Sequence, residues 1–187
     1  NVINPLDLTA TYGTDAFRMG LIVGNTPGTS LALSEDKIKA YKHFANKLWN
    51  IARFILANTG EFKEKPELLA EHEKRLEELG TFAKEISEDI ESFRLYLAAE
   101  KLYHYTWHTV ADAIVEEAKP LLQGGDENAK RSAQYMLFTI LQTLLRLLHP
   151  FAPFVTESLY QELPESFADW EKKEMLMIEH WPTPSNT

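Results

Sequence analysis

The chain has 187 residues, with 28 acidic against 19 basic side chains for a net charge of -9, 44% hydrophobic residues and no cysteine. That length supports one sizeable core, and the composition is that of a soluble globular protein. The absence of cysteine excludes disulfides, thiolate catalysis and sulfur-ligated zinc. The acidic balance argues against non-specific nucleic-acid binding by the whole surface.

Residues 1–33 hold Pro5, Gly13, Gly20, Gly24, Pro27 and Gly28 and read as an irregular connector. Within it TDAFRMGLIV is predicted as a short helix, with Thr14 as N-cap and Asp15 favourable in the first turn. The rest reads as turns, GNTPG (24–28) among them, and short extended pieces. A long helix starts behind the N-cap Ser34 and stops near Gly60, with Ile38, Tyr41, Ala45, Leu48, Ala52 and Ile55 as its apolar seam. A second opens around Pro66 on Leu76, Leu79, Ala83, Ile86 and Ile90, and Gly80 inside it is a place for a kink. A third runs from Leu95 to Lys119 before Pro120, with Ala99, Leu102, Thr106, Val110 and Ala113 facing in.

After the loop GGDEN (124–128) a fourth helix covers 128–148 and is apolar on more than one face, hence central. His149 and Pro150 end it, with His149 near its negative end, and Pro153 starts a fifth helix that stops before Pro164. In the tail, MLMI (175–178) reads as a strand. The predicted fold is therefore all-α, an antiparallel helical bundle over residues 34–163 with the connector before it and a tail over 164–187.

No signal peptide pattern is visible and no apolar run approaches the roughly 20 residues that span a bilayer. The chain reads as cytoplasmic, without a membrane partner. It begins at Asn1 rather than at a methionine, as a piece of a longer chain is expected to.

The segment HFANKLWNIARF (43–54) raises the functional question. From Lys37 to Gly60 there is no Asp or Glu, although the next thirty residues are crowded with them. On a helical wheel Lys39, His43, Asn46, Asn50 and Arg53 form a stripe opposite the seam, flanked by Lys42 and Lys47, and Phe54 falls beside Lys47, His43 and Asn50. Lysine and arginine meet phosphates. Asparagine and histidine offer directional hydrogen bonds to base edges, and an exposed ring can stack on an unpaired base. The competing reading is a solvated helix face whose Phe54 packs under the following loop.

Other constellations are weaker. Glu100, His104, His108 and Asp112 follow one another at four-residue spacing, but Tyr105 stands where a metalloprotease would have glutamate, and the stripe reads as a polar cluster rather than a metal site. No nucleophile has a base partner, and Gly124-Gly125 lacks the flanks of a phosphate loop. Tyr103, Trp107, Tyr135, Phe138, Phe151 and Phe154 are predicted as core aromatics, and the glutamate-rich second helix as a solvated face.

HFANKLWNIARF resembles the start of the helical domain that binds the anticodon in valyl-tRNA synthetases. That family reads as an aromatic, then Ala-Asn-Lys-Leu/Ile-Trp/Tyr-Asn, then Ala-Arg-Phe, and Phe44, Ala45, Asn46, Lys47, Leu48, Trp49, Asn50, Ala52, Arg53 and Phe54 match it. NVINPLDLTATYGTDAFRMGLIVGNTPG is similar to the stretch that follows the KMSKS lysine loop in class I synthetases for aliphatic amino acids, and LLRLLHPFAPFVTESLYQEL to their last bundle helices. FANKLWN favours valine, while the other two segments are shared with isoleucyl and leucyl enzymes.

The resemblance implies an enzyme that joins valine to its tRNA at the expense of ATP with Mg, through a Rossmann-type catalytic domain and a separate editing domain. Neither catalytic signature lies in this chain, so the stretch is expected to be catalytically silent, with no catalytic residue, metal or cofactor of its own. Its implied partners are the anticodon loop and stem of tRNA and the catalytic domain of the same polypeptide. By this resemblance Asn46, Asn50 and Arg53 face the anticodon, with His43 beside them. Phe54 or Trp49 stacks, and Lys39, Lys42 and Lys47 engage phosphate. One departure stands out: Ala113, Ile114, Val115 and Glu116 follow Asp112 where the family often has Trp-Tyr-Ile-Glu. The same domain of an isoleucyl or leucyl enzyme, and a helical adaptor that shows the stripe to an acidic protein, are the remaining alternatives.

Overall fold

The computed structural model describes residues 4–26, 28 and 33–183. The expectations that fall on residues 1–3, Pro27, 29–32 and 184–187 lie outside the described residues. The connector opens with a helix where turns are predicted. Asn4 caps α1 (Pro5–Tyr12) by accepting the Leu6 N–H at 3.1 Å, and Pro5 has no N–H to leave unsatisfied at the first helical position. Gly13 then turns the chain at φ +92°, where a side chain would be strained. It also serves as the N-cap of α2 (Thr14–Ile22), so Thr14 is the first helical residue rather than the cap.

Helix α3 (Glu35–Asn58) is the long helix predicted. The Ser34 hydroxyl accepts the Lys37 N–H at 3.2 Å, and Glu35 and Asp36 lie against the positive end of the dipole. Ile38, Tyr41, Leu48, Ala52 and Ile55 are buried as expected, joined by Phe44 and Ile51, while Ala45 is half-buried. Helix α4 (Ala70–Glu91) begins four residues later than Pro66 and passes unbroken through Gly80. Its start is fixed from outside, because the Leu69 N–H donates to Ser132 Oγ at 2.9 Å.

The third predicted helix is one rod with three parts. α5 (Leu95–His104) runs into a π-helical segment (Tyr105–Ile114), which runs into α6 (Val115–Gln123), with Pro120 inside. π-helical hydrogen bonds reach i→i+5, so the wide turns carry the inward face past the position an α-helical wheel assigns. Ala99, Leu102, Thr106 and Val110 are buried as predicted, but Ile114 is buried in place of Ala113, which is half-buried.

Asp126 caps α7 (Glu127–Leu148) by accepting the N–H groups of Asn128 and Ala129. Every residue from Met136 to Leu148 is buried, as suits the central helix of the bundle. After a corner, Pro153 starts α8 (Pro153–Gln161). Tyr103 of α5 packs on Tyr41 and Phe44 of α3, with ring centroids 5.7 and 5.1 Å away.

The tail folds back over the bundle. A two-residue antiparallel hairpin, β1 (Ser166–Phe167) with β2 (Trp170–Glu171), lays Phe167 on Phe138 at 3.8 Å between centroids. MLMI is not a strand. Leu176–Ile178 is a single 3₁₀ turn whose Leu176 is buried and donates its N–H to Glu157 at 3.0 Å. Trp181 ties the tail to α4 by donating to Ser87 Oγ at 2.7 Å.

Of the six aromatics predicted for the core, Phe138 and Phe151 are fully buried and Tyr103, Trp107 and Tyr135 are half-buried against it. Phe154 is 61% exposed instead. It is the second residue of α8, and its main chain is fixed by a residue of the connector, described below. No helix among the described residues is long and apolar enough to cross a membrane.

Candidate nucleic-acid interface

The seam of α3 turns its acid-free face outward. Lys39, His43, Asn46, Asn50 and Arg53 are all exposed, and among the described residues none of their side chains has a hydrogen-bond or ion-pair partner. Trp49, on the same helix, is 37% exposed. The polar heads of the stripe are thus presented to solvent with their bonding capacity unspent.

Two of the flanking lysines are engaged by the protein itself. Lys42 donates to the Thr11 carbonyl at 3.0 Å, with its ammonium 5.9 Å from the Tyr12 ring centroid. Lys47 is half-buried, 2.6 Å from Asp112 and 4.4 Å from the Trp107 ring centroid. The Lys47 hydrogen bond, with His108 beyond it, holds the Asp112 carboxyl below its usual pKa.

Phe54 is half-buried and lies against an open groove of about 580 Å³ between α3 and the rod that packs across it. His43, Asn46, Lys47, Asn50 and Phe54 come from α3, and Trp107, Asp112, Glu116 and Lys119 from the π segment and α6. The opposite wall carries acids, but each is paired: Asp112 with Lys47, and Glu116 with Lys119 at 2.6 Å. Lys119 also lies 5.8 Å from the Phe54 ring centroid, a cation–π approach that steadies the ring from the far side.

Sequence reasoning missed Trp107, Glu116 and Lys119. The sequence pattern places Trp107 in the core, against which it does pack, and the other two at no site, because a 3.6-residue wheel cannot anticipate which side of the rod the π turns bring round. The groove is lined by the Phe54 and Trp107 rings, the Asn46 and Asn50 amides and the His43 imidazole, with the exposed Arg53 on the same helix, and rings with amides are the elements of a seat for unstacked bases.

The histidine stripe does something else. His104 and His108 stack with centroids 5.7 Å apart and His108 leans on Asp112. Among the described residues no group of three His, Asp or Glu is placed to hold a metal ion.

Comparison with known proteins bears on this geometry. The family model for the anticodon-binding domain of tRNA ligases matches residues 72–187, which takes in α4 to the tail and leaves α3 outside. Valine–tRNA ligases align across α3 as well. That of Clostridium acetobutylicum is 36% identical over 98% of this chain, and that of Pelagibacter ubique 39% identical over 98%. That of Geobacter sulfurreducens is 41% identical over 88%. The chain spans about a fifth of the length of these relatives (21%, 21% and 19%).

Two solved structures share the fold. A leucyl-tRNA synthetase of Agrobacterium radiobacter K84, in ternary complex with tRNA and LeuAMS, superposes with a TM-score of 0.70 at 21% identity, over 98% of this chain and 21% of that one. The free methionyl-tRNA synthetase of Mycobacterium tuberculosis gives 0.72 at 17% identity, over 97% and 39%. On the family match and the all-α bundle together, the chain belongs to the anticodon-binding domains of tRNA ligases.

Proposed function

We propose that this chain reads the anticodon arm of a valine tRNA as one domain of a cytoplasmic valine–tRNA ligase, with the α3 stripe and the groove beside it as the reading surface. The parent enzyme attaches valine to tRNA with ATP and Mg in a catalytic domain of the same polypeptide. The present stretch carries no catalytic residue and is silent in aminoacylation by itself.

The observation that carries the reading is that Lys39, His43, Asn46, Asn50 and Arg53 are exposed, and without a partner among the described residues, on a helix that has no acid after its first turn. Asn46 and Asn50 each offer a donor and an acceptor for a base edge. Arg53 supplies a planar fork for a base or phosphate. Phe54 and Trp107 wall the groove in which a base stacks, Trp49 offers a further exposed ring on α3, and Lys39 meets phosphate. Lys47 acts from within its ion pair, beside Trp107. Lys42 acts from its seat on Thr11.

Filter binding of the chain to valine-tRNA and isoleucine-tRNA transcripts tests this. Tighter binding of the valine transcript is expected, with Asn50→Ala and Arg53→Ala each weakening it about tenfold, the low end for a lost base contact. Parent-like binding by both variants would remove the stripe from the site. Equal affinity for the two transcripts would remove the valine assignment and leave a domain of another aliphatic amino-acid ligase.

A further inference from the structure

Phe154 should be in the core by its sequence context and is not. Its backbone is nonetheless held by side chains of α2. The buried Asp15 carboxylate of α2 accepts the N–H groups of Phe154 at 3.2 Å and Val155 at 2.6 Å, and Arg18 donates to the carbonyls of Pro150 and Phe151 at 2.9 and 3.3 Å. The ring is thus held out to solvent at 61% exposure, with no aromatic neighbour among the described residues.

Beside it lies a depression of about 290 Å³ between the α1–α2 turn, α3 and the start of α8, lined by Tyr12, Thr14, Lys42 and Asn46 together with Phe154. Asn46 also lines the larger groove, so the two spaces adjoin. Lys42 stands four residues before Asn46, about one helical turn or 5.4 Å along α3. The Asp15 charge is committed to two amides and buried. What the depression offers is the Phe154 and Tyr12 rings, the Asn46 amide, and an ammonium with protons left over from its bond to Thr11.

We propose that this depression is a second base seat, which takes an unpaired nucleobase adjoining the anticodon triplet by stacking it on Phe154 and bonding its edge to Asn46 and Lys42. The proposal rests on the reading of the α3 stripe and extends the contact beyond the triplet. Stacking accepts any base, so the seat adds affinity and register more than identity.

The test uses the chain with valine-tRNA anticodon stem-loops that carry 2-aminopurine at one loop position at a time. The parent chain quenches a position outside the triplet. Phe154→Ala and Phe154→Leu both abolish that quench and weaken binding roughly 5- to 100-fold, whereas Phe154→Trp retains both. The thermal midpoint and the salt slope stay at parent values, because an exposed ring is removed and no phosphate contact is lost.

If Phe154→Leu quenches and binds like the parent while Arg53→Ala still weakens binding, the seat is refuted and the stripe stands. If a Phe154 variant loses affinity only together with its thermal midpoint, the ring is structural and the seat is refuted. If the parent chain does not bind the stem-loops at all, both readings fall.

Discussion

Helices α3 and α4 are nearly equal in length, 24 and 22 residues, and each buries one face and exposes the other. Their outer faces are built on opposite plans. On α4 charges answer one another: Arg75 reaches Glu78 and Glu117 at 3.4 and 3.1 Å, and Lys74–Glu78 and Lys84–Glu88 lie at 4.0 and 3.9 Å. On α3 the Lys39 and Arg53 charges have no ion-pair partner among the described residues, and Lys39 and Lys42 repel at i,i+3. Each α4 pair contributes a few tenths of a kcal/mol at most, so the lesson is not about stability. A helix that forgoes cheap pairing on one stripe keeps its donors available for something else, and a polyanion is the ligand that such a face fits.

The largest effect should come from the charge that α4 does bury. Asp89 is 2% exposed and meets Arg94 and Lys101, each at 2.8 Å. Burial alone would raise its pKa, but the hydrogen bonds from Lys101 and Arg94 outweigh that and lower it. Asp89→Ala removes the charge-assisted bonds to Arg94 and Lys101, leaving Lys101 only Glu85 at 3.7 Å, and should cost about 3 kcal/mol in urea unfolding, with RNA binding by the remaining folded chain intact. Because the folded pKa is depressed, this contribution is full above the unfolded value near 3.8 and is lost as pH falls through the folded one. A loss under 1 kcal/mol would mean that the cluster is not an anchor.

Next comes a paired reversal. Arg53→Glu on α3 should weaken RNA binding about 100-fold, from a lost fork and a new repulsion. Lys84→Glu on α4 should change it by less than about twofold. Filter binding at fixed salt reads both. Equal losses would erase the distinction between the two faces.

The smallest effect is the pH response of α4. His72, buried at its first turn, sits 2.7 Å from Ser132 Oγ, and burial lowers its pKa despite nearby Glu71. The unfolded chain therefore takes up the proton first, and stability should decline as pH drops below about 6.5 and level off beneath the folded pKa. His149, also lowered by burial, adds to the same limb. His72→Gln should flatten part of that limb in thermal melts, and an unchanged limb would assign it to His149 alone.

Much of this was legible in the sequence where local chemistry decides. Ser34, Glu35 and Asp36 mark the start of α3, and Pro153 the start of α8. Apolar residues on more than one face mark α7 as central. The acid-free stripe was visible too, since a wheel needs only α-helical geometry, and α3 has it. The errors fall where distant partners decide. α4 starts at Ala70 because Ser132 takes the Leu69 N–H, and Leu176 lies in a 3₁₀ turn because Glu157 takes its N–H. Phe154 faces solvent where Asp15, 139 residues earlier, fixes its amide. The π segment defeated the wheel on the third helix, and with it any foresight of Trp107 in the groove. α1 was missed because proline and glycine were read as connector, although Pro5 and Gly13 punctuate a helix there.

The grip of α2 on the corner between α7 and α8 has a mechanical corollary. One short helix, through two side chains a single turn apart, holds carbonyls on one side of that corner and amides on the other. Torque applied to α2 is therefore passed through these four hydrogen bonds to the corner that ends the central helix of the bundle. A neighbouring body attached at that end would move the bundle as a lever moves its load.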